Sequence, residues 1–156
     1  MDFDEELEDP TSRFALSVFK LNGLLMRNGE RITQSLGQSS ARWQVLGRAG
    51  SLPQSVAQMA HDMGLARQSV QRVANTLEKA GLVVFRDTPN DQRTFLVEIT
   101  ESGRAVLLKI YQKNRDWTRK VLQALSPELL AQTAAGLERL ALIFEELEKS
   151  EEEPAI

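Results

Sequence analysis

A run of arginine and amide side chains near the middle of the chain has the residue types that recognise nucleic-acid bases. Glutamine and asparagine can both donate and accept hydrogen bonds on adenine, whereas arginine donates to guanine or to a phosphate. Between Arg67 and Leu77 no acidic residue interrupts this run. At helical spacing, one polar face is predicted to present Arg67, Gln68, Gln71, Arg72 and Asn75, with Ser69 near its edge.

A polar helix face is usually just a solvated surface, but the missing acids and the basic hairpin after it favour a functional face here. The N-terminal positions of a recognition helix usually reach the bases. Arg67, Gln68 and Gln71 are therefore predicted to read base edges. Arg72 can serve a base or the backbone, and we assign it to a phosphate.

Charged residues at the tip of a predicted hairpin form a second group. Asp91 and Arg93 lie two positions apart, and Arg86 is on the incoming strand. An arginine at such a tip can enter the minor groove, where the potential is most negative, while a nearby carboxylate holds it in position. Taken alone, the pattern is also that of a surface ion pair worth well under about 1 kcal/mol.

Two short helices and a hairpin must position both groups. The pattern predicts helices over 55–63 and 67–79, each ended by a glycine. Strand-like runs over 82–86 and 93–99 follow, on either side of a turn. This order predicts a helix-turn-helix with a two-stranded wing. The apolar residues expected to join the two helices are Val70, Val73, Ala74 and Leu77 on the second, and Val56, Met59 and Ala60 on the first.

Further helices are predicted on both sides of this lobe. Thr11 or Ser12 can cap a first helix. Ser39 or Ser40 can cap a short second one, and Pro53 suits the first turn of the third.

After the wing, Thr100 is expected to cap a long helix that reaches about Leu125. Ser126 and Pro127 then suit the start of a final helix that runs to about Lys149. The prediction is a mainly α fold with six helices and a small β-hairpin wing. The terminal helices carry more apolar surface than so small a lobe can cover, so we expect them to form a dimer interface.

The net charge of −3 conceals a strong asymmetry along the chain. Residues 1–9 contribute −6 and residues 145–156 contribute −5, which leaves +8 for residues 10–144. A basic middle indicates an anionic partner, here double-stranded DNA, whereas the acidic ends can equally be solvated tails. The predicted organisation is an acidic leader over 1–10, dimerisation helices over 11–38 and 101–149, a winged helix-turn-helix lobe over 39–100, and an acidic tail over 150–156.

The composition argues against several other classes of protein. There is no cysteine, which excludes disulfides and thiol sensing, and a single histidine argues against a metal site. His61 has no obvious nucleophile beside it and no glycine-rich phosphate loop occurs, so we predict no enzymatic activity, no catalytic residue and no cofactor. Neither a signal peptide nor an apolar run of about 20 residues is present, which predicts a cytoplasmic protein without membrane contact.

Five short motifs keep a regular spacing over about residues 41–107. They are Arg42-Trp-Gln-Val-Leu46, Val56-Ala-Gln-Met-Ala60, Leu77-Glu-Lys-Ala-Gly-Leu-Val83, Asn90-Asp-Gln-Arg93 and Ile99-Thr-Glu-Ser-Gly103. Together they resemble the MarR family of bacterial winged-helix transcriptional regulators. The predicted helices outside that window agree with the family in number and length.

The resemblance implies a two-fold dimer joined by its terminal helices, in which each subunit offers one winged helix-turn-helix to a pseudo-palindromic operator. It also implies repression of nearby genes and release from DNA by a small effector, often a phenol or an aromatic acid. Asp91 and Arg93 match the family's wing tip. The position before Arg67, where the family often has a Ser or Thr cap, is Ala66, which removes a hydrogen bond worth about 1 kcal/mol.

The predicted function is therefore that of a sequence-specific DNA-binding regulator, a repressor that acts as a homodimer. A winged helix used only for protein–protein contact is the alternative, because a fold alone does not decide function. Trp43, Tyr111 and Trp117 can either line a cavity or belong to the core, and aromatic residues at helical spacing more often belong to the core, so the sequence assigns no ligand site.

Overall fold

The computed structural model describes residues 9–88 and 91–152, with residues 91–93 and 152 described in the backbone alone. Within this part of the chain, six α-helices and three strands confirm the predicted mainly α fold. They form two compact units that divide between Asn114 and Arg115. In chain order the elements are α1 Pro10–Thr33, α2 Ser40–Ser51, β1 Gln54–Ser55, α3 Val56–Met63, α4 Arg67–Lys79, β2 Val83–Thr88, β3 Asp91–Ile99, α5 Glu101–Ala124 and α6 Pro127–Glu152.

The first helix is capped earlier than predicted. Asp9, rather than Thr11 or Ser12, is the N-cap of α1, and its carboxylate accepts hydrogen bonds from the Thr11 hydroxyl and, at 3.0 Å, from the Ser12 backbone nitrogen. Those hydrogen bonds, from Thr11 first and then from Ser12, lower the pKa of Asp9 below its usual range. Pro10 follows at the first helical position, where its missing N–H costs no intrahelical bond.

The predicted caps of three other helices are confirmed. The hydroxyl oxygens of Ser39, Thr100 and Ser126 each accept a hydrogen bond from the backbone nitrogen three residues on, at distances of 3.0–3.2 Å. These hydrogen bonds satisfy amide groups that the first turn of a helix leaves without a partner. They fix the starts of α2, α5 and α6.

The sheet has one strand more than predicted. Pro53 does not begin a helix; it precedes β1, which pairs antiparallel with β3 in a register that places Ser55 opposite Leu96. Ser55 also caps α3, since its hydroxyl accepts from the Gln58 backbone nitrogen at 3.1 Å. The strand order is β1-β3-β2, so the wing hairpin is attached to the helix-turn-helix by β1. A strand of two residues is too short to show the alternation by which strands are predicted.

The core of the first unit lies where α2, α3, α4 and the sheet meet. The predicted joining of α3 and α4 is confirmed, with Val73 only partly buried and the other predicted residues fully buried. Gly64 adopts the left-handed conformation, with φ of 60°, and ends α3, which lets α4 turn back across it. The buried members of this core are Val45, Leu46, Ala49, Val56, Met59, Ala60, Val70, Ala74, Leu77, Leu82, Val83, Val97, Ile99 and Leu107.

The long helices leave much apolar surface in solvent. On α1, Phe19 is 70% exposed, and on α6 Leu142 is 60% exposed. Other exposed leucines follow the same two helices. Among the described residues, no helix combines the length and the apolar character needed to cross a lipid bilayer.

Gly103, in the first turn of α5, occupies a place where no side chain fits. A Cβ atom there would lie 2.0 Å from the carbonyl oxygen of Leu82 and 2.8 Å from Cγ1 of Ile99. We therefore expect Gly103→Ala to lower the free energy of unfolding by about 1–3 kcal/mol or more, because backbone must move to relieve the contact. Urea denaturation at a fixed protein concentration measures the loss.

The control for this substitution is Gly47→Ala in α2. A Cβ at Gly47 would meet only the Tyr111 hydroxyl oxygen, at an ordinary 3.8 Å. Alanine is also favoured over glycine within a helix by up to about 1 kcal/mol. Gly47→Ala should thus be neutral or stabilising, and equal losses for the two variants would contradict the steric explanation for Gly103.

Candidate nucleic-acid interface

The outer side of α4 is polar and basic. The structure places the six residues predicted on this helix on its exposed side, with Gln71 the least exposed of them. Their contacts with DNA stay a prediction. A groove runs along this face and is lined by Arg67, Gln68, Gln71, Arg72, Asn75, Thr76 and Lys79.

Two residues of this groove, Thr76 and Lys79, were missed by the sequence reasoning. They follow Arg72 by four and seven positions, so the same helical spacing could have identified them. The Thr76 hydroxyl donates to the Arg72 carbonyl oxygen at 2.8 Å, and Lys79 adds a positive charge in the last turn. The face therefore carries three cationic side chains rather than two.

The two amides at the centre of the face are bonded to each other. Gln71 Nε2 donates to Asn75 Oδ1 at 2.8 Å, across one turn of α4. A hydrogen bond at positions i and i+4 is a favourable arrangement on a helix surface. It favours one orientation of each amide plane.

The start of α4 has no side-chain cap, as the alanine at this position predicted. Ala66 is the N-cap residue, with extended backbone, and no side chain in the described chain accepts from the first turn. The Ala66 carbonyl oxygen accepts from the backbone nitrogens of Ser69 and Val70, at 3.0 and 3.3 Å. The helix thus begins through backbone hydrogen bonds alone.

A second groove, of about 550 Å³, lies between α4 and the wing. Phe95 of β3 stands in it and is 49% exposed. On the helix side the groove is reached by Arg67, Gln71 and Asn75, and it also contains one acid, Glu78. The helix face and the wing are therefore adjacent, with an open channel between them.

Arg86 lies on the other face of the hairpin. Strand residues alternate between faces, and its neighbour Phe85 packs toward the core, so Arg86 points away from the side that faces α4. Its Nε is 3.4 Å from Oε2 of Glu98, and the side chains are 65% and 42% exposed. The side chains of Asp91 and Arg93 lie outside the described residues, although their backbone belongs to β3.

Asp62 connects α3 to α2 and β1. Its carboxylate accepts from Gln58 Nε2 at 2.8 Å and from Gln54 Nε2 at 3.1 Å, and His61 Nδ1 lies 3.4 Å away. Arg48 of α2 donates to the Asp62 carbonyl oxygen at 3.1 Å, and its Nη1 lies 3.6 Å from Oδ2 of the Asp62 carboxylate. The hydrogen bond from Gln58, then that from His61, lowers the pKa of Asp62 below its usual range. Side chains of α2, β1 and α3 thus meet at one carboxylate.

A third groove, of about 360 Å³, lies between α2 and the first half of α5. Tyr111 lines it and is 47% exposed, so of the two alternatives for this residue the structure shows cavity lining rather than the favoured core position. Its ring meets that of Trp43 edge to face at 6.4 Å, and Trp43 packs against the core as predicted. Arg104 brings a cationic group to the same groove.

Comparison with known proteins identifies the family of the chain. A family model described as MarR family matches residues 37–94. Over 134 residues the chain is 36% identical to the uncharacterized protein Rv2011c of Mycobacterium tuberculosis, and the match covers 86% of this chain and 94% of that protein.

Solved structures share the fold. The transcriptional regulator BldR from Sulfolobus solfataricus superposes with a TM-score of 0.73 at 23% identity, over 89% of this chain and 99% of that one. CouR from Rhodococcus jostii RHA1, bound to p-coumaroyl-CoA, gives a TM-score of 0.74 at 19% identity, over 86% and 95%. With its winged helix-turn-helix and these matches, the chain belongs to the MarR family of DNA-binding transcriptional regulators, which are not enzymes.

Proposed function

We propose that the protein is a cytoplasmic repressor that binds a pseudo-palindromic operator as a homodimer. One observation carries this proposal: the exposed groove along α4 holds Arg67, Arg72 and Lys79 beside amide side chains, and no acid lines it. An ordinary solvated helix face mixes both signs of charge, whereas a surface that meets phosphates is expected to lack carboxylates. The face is therefore suited to the major groove of duplex DNA.

The residues of α4 divide into two roles. Arg67, Gln68 and Gln71, nearest the start of the helix, are assigned to base edges, because the N-terminal part of a recognition helix approaches the bases. Arg72 and Lys79 are assigned to phosphates, which fix the register of the helix on the duplex. The exposed edge residue Ser69 is assigned to the sugar-phosphate backbone.

On the wing, we assign Arg93 to the minor groove and Asp91 to holding it in position. Arg86 is assigned to the DNA backbone. Its ion pair with Glu98 is exposed and so contributes at most about 1 kcal/mol, which a phosphate can replace.

The wing assignment predicts that Arg93→Ala weakens binding to most duplexes by about tenfold or more. Each of the two subunits would lose a charge-assisted contact, and a contact in the minor groove distinguishes base sequences only weakly. Fluorescence anisotropy with duplexes selected from a random library measures the effect.

The matched control for Arg93→Ala is Arg13→Ala, which removes an exposed arginine from α1. It should leave DNA affinity unchanged, and sedimentation velocity checks that both variants keep the dimer. An unchanged affinity for Arg93→Ala would remove the wing arginine from the mechanism.

The homodimer is supported by the apolar surface of the terminal helices. Leu16, Phe19 and Leu24 are exposed on α1, and Leu142 and Leu147 are exposed on α6. Apolar surface on this scale is uncommon on monomers and is typical of association sites. A second copy of the chain covering it would also supply the second lobe that a two-fold operator requires.

A winged helix used only for protein–protein contact is the alternative function. It would bury apolar residues or pair charges of both signs, and it has no need of an acid-free amide and arginine face. The two functions differ in the salt dependence of DNA binding, because only phosphate contacts release counterions.

We further infer that a small aromatic carboxylic acid is the effector and that it binds in the groove between α2 and α5. Arg104 can pair with a carboxylate there, and Tyr111 offers a ring and a hydroxyl. The ligand of CouR, p-coumaroyl-CoA, is a thioester of such an acid, which supports the aromatic part of this chemical class.

The effector assignment predicts that p-coumarate, used as the probe, lowers DNA affinity and changes the fluorescence of Trp43, whose ring lies 6.4 Å from that of Tyr111. Arg104→Gln should raise the p-coumarate concentration needed for release from DNA by about tenfold or more, because the substitution removes a charged hydrogen bond. Lys109→Gln, an exposed cation on the same helix that does not line the groove, is the control. Equal responses in the two variants would contradict the assignment.

A further inference from the structure

Gln71 and Asn75 form a bonded pair at the centre of the proposed DNA-reading face. Both line the groove along α4 and also the groove between α4 and the wing. The hydrogen bond from Gln71 Nε2 to Asn75 Oδ1, at 2.8 Å, connects them across one turn. The orientation of the Gln71 amide therefore depends on Asn75.

That orientation decides which base Gln71 can read. A glutamine whose amide group can rotate freely can present either its oxygen or its NH₂ group, so it can form hydrogen bonds with adenine or with guanine. With one hydrogen of Nε2 given to Asn75, Gln71 keeps its oxygen as an acceptor and one N–H as a donor. Adenine offers a donor N6 beside an acceptor N7, which matches this set. Guanine offers two acceptors, so its O6 would oppose the Gln71 oxygen.

We propose that Gln71 reads an adenine and that Asn75 is a positioning residue that holds the Gln71 amide in the adenine-reading orientation. This inference rests on the proposed DNA binding. It assigns the discrimination between adenine and guanine to a hydrogen bond within the protein. Asn75 itself contacts no base edge in this arrangement.

The experiment compares base preference rather than overall affinity. Duplexes selected from a random library by the wild-type protein and by Gln71→Ala identify the position that Gln71 reads. Anisotropy then gives the ratio of affinities for duplexes with A·T or G·C at that position in one half-site. The wild-type ratio is expected to be roughly 5- to 150-fold in favour of adenine.

Two substitutions of Asn75 separate positioning from direct contact. Asn75→Ala releases the Gln71 amide and should lower the adenine preference by about twofold or more. Asn75→Asp keeps an acceptor for Gln71 Nε2 but has no donor, so it should retain the preference, although its charge weakens binding to both duplexes. Gln112→Ala, which removes an exposed amide of α5 that is not assigned to DNA, should leave the preference at this position unchanged.

Three results would overturn the inference. An unchanged preference in Asn75→Ala would show that Gln71 orients itself. Loss of preference in Asn75→Asp as well would show that the Asn75 nitrogen contacts the base. A selected G·C pair at the Gln71 position would exclude adenine. By contrast, a wild-type protein with no sequence preference would overturn the proposed function itself. Thermal unfolding of each variant checks that a changed preference is not caused by misfolding.

Discussion

DNA binding is expected to weaken by about 10³- to 10⁵-fold when the salt concentration rises from 50 to 200 mM, for a dimer that makes roughly 6–10 phosphate contacts. Each neutralised phosphate releases condensed counterions, and added salt opposes that release. Arg72, Lys79 and Arg86 in each of two lobes give six phosphate contacts, and Arg67 and Arg93, assigned to a base edge and to the minor groove, raise the number of cationic side chains at the DNA to ten.

The measurement is the slope of log affinity against log salt concentration, obtained by anisotropy on a selected duplex. Arg72→Ala should reduce the slope by about 2, because one phosphate contact is lost from each subunit. Gln68→Ala, assigned to a base edge, should lower affinity and leave the slope unchanged. Sedimentation at both salt concentrations separates DNA release from dissociation of the dimer.

A slope near zero would contradict the proposed function and favour the protein–protein alternative. If the wild type gives a steep slope and Arg72→Ala leaves it unchanged, Arg72 contacts a base rather than a phosphate. The same titration thus tests both the function and the role of one residue.

Leu77→Ala is expected to cost about 2–5 kcal/mol of the free energy of unfolding. Leu77 is fully buried in the core that joins α3, α4 and the sheet, and its removal leaves a cavity that a close-packed interior cannot close. Because typical domains are stable by only about 5–15 kcal/mol, this loss is a large share of the total. Urea denaturation of variant and wild type at one protein concentration measures it.

Leu65→Ala makes the same chemical change in the turn between α3 and α4, where the side chain is 48% exposed. A surface substitution of this kind usually stays within about 0.5 kcal/mol of the wild type. If Leu65→Ala and Leu77→Ala lowered the free energy of unfolding equally, burial would not explain the stabilisation by Leu77. The fraction of Leu77→Ala that remains folded should bind DNA as the wild type does, since Leu77 lies on the side of α4 away from the polar face.

Local chemistry made much of the fold predictable. The hydroxyl caps at Ser39, Thr100 and Ser126 act within three residues of themselves, so sequence alone identifies them. Periodicity of apolar residues likewise predicted the joined faces of α3 and α4. The start of α1 could also have been predicted from local chemistry, although the prediction of Thr11 or Ser12 was wrong. Asp9 is itself a good N-cap residue, and Pro10 suits the first helical position.

Features that depend on distant parts of the chain could not be predicted in this way. β1 is a strand only because it pairs with β3, and a segment of two residues has no sequence pattern that predicts this pairing. Gly103 belonged to a recognisable motif, but the structural reason for a glycine there is the carbonyl oxygen of Leu82. Leu82 precedes β2 and lies close to Gly103 because β2 and β3 pair. Tyr111 fits a helical apolar pattern, and its exposure follows from the groove between α2 and α5.

The sequence by itself determined that one helix carries an acid-free face of arginine and amide side chains, because helical spacing alone puts those residues on one side. Only the tertiary structure decided where that face points and what lies beside it. Packing of Leu77 and its neighbours turns the polar side of α4 outward, and the sheet brings Phe95 of the wing beside it while directing Arg86 to the opposite face. The bond between Gln71 and Asn75 depends on side-chain rotamers, which the sequence pattern leaves open.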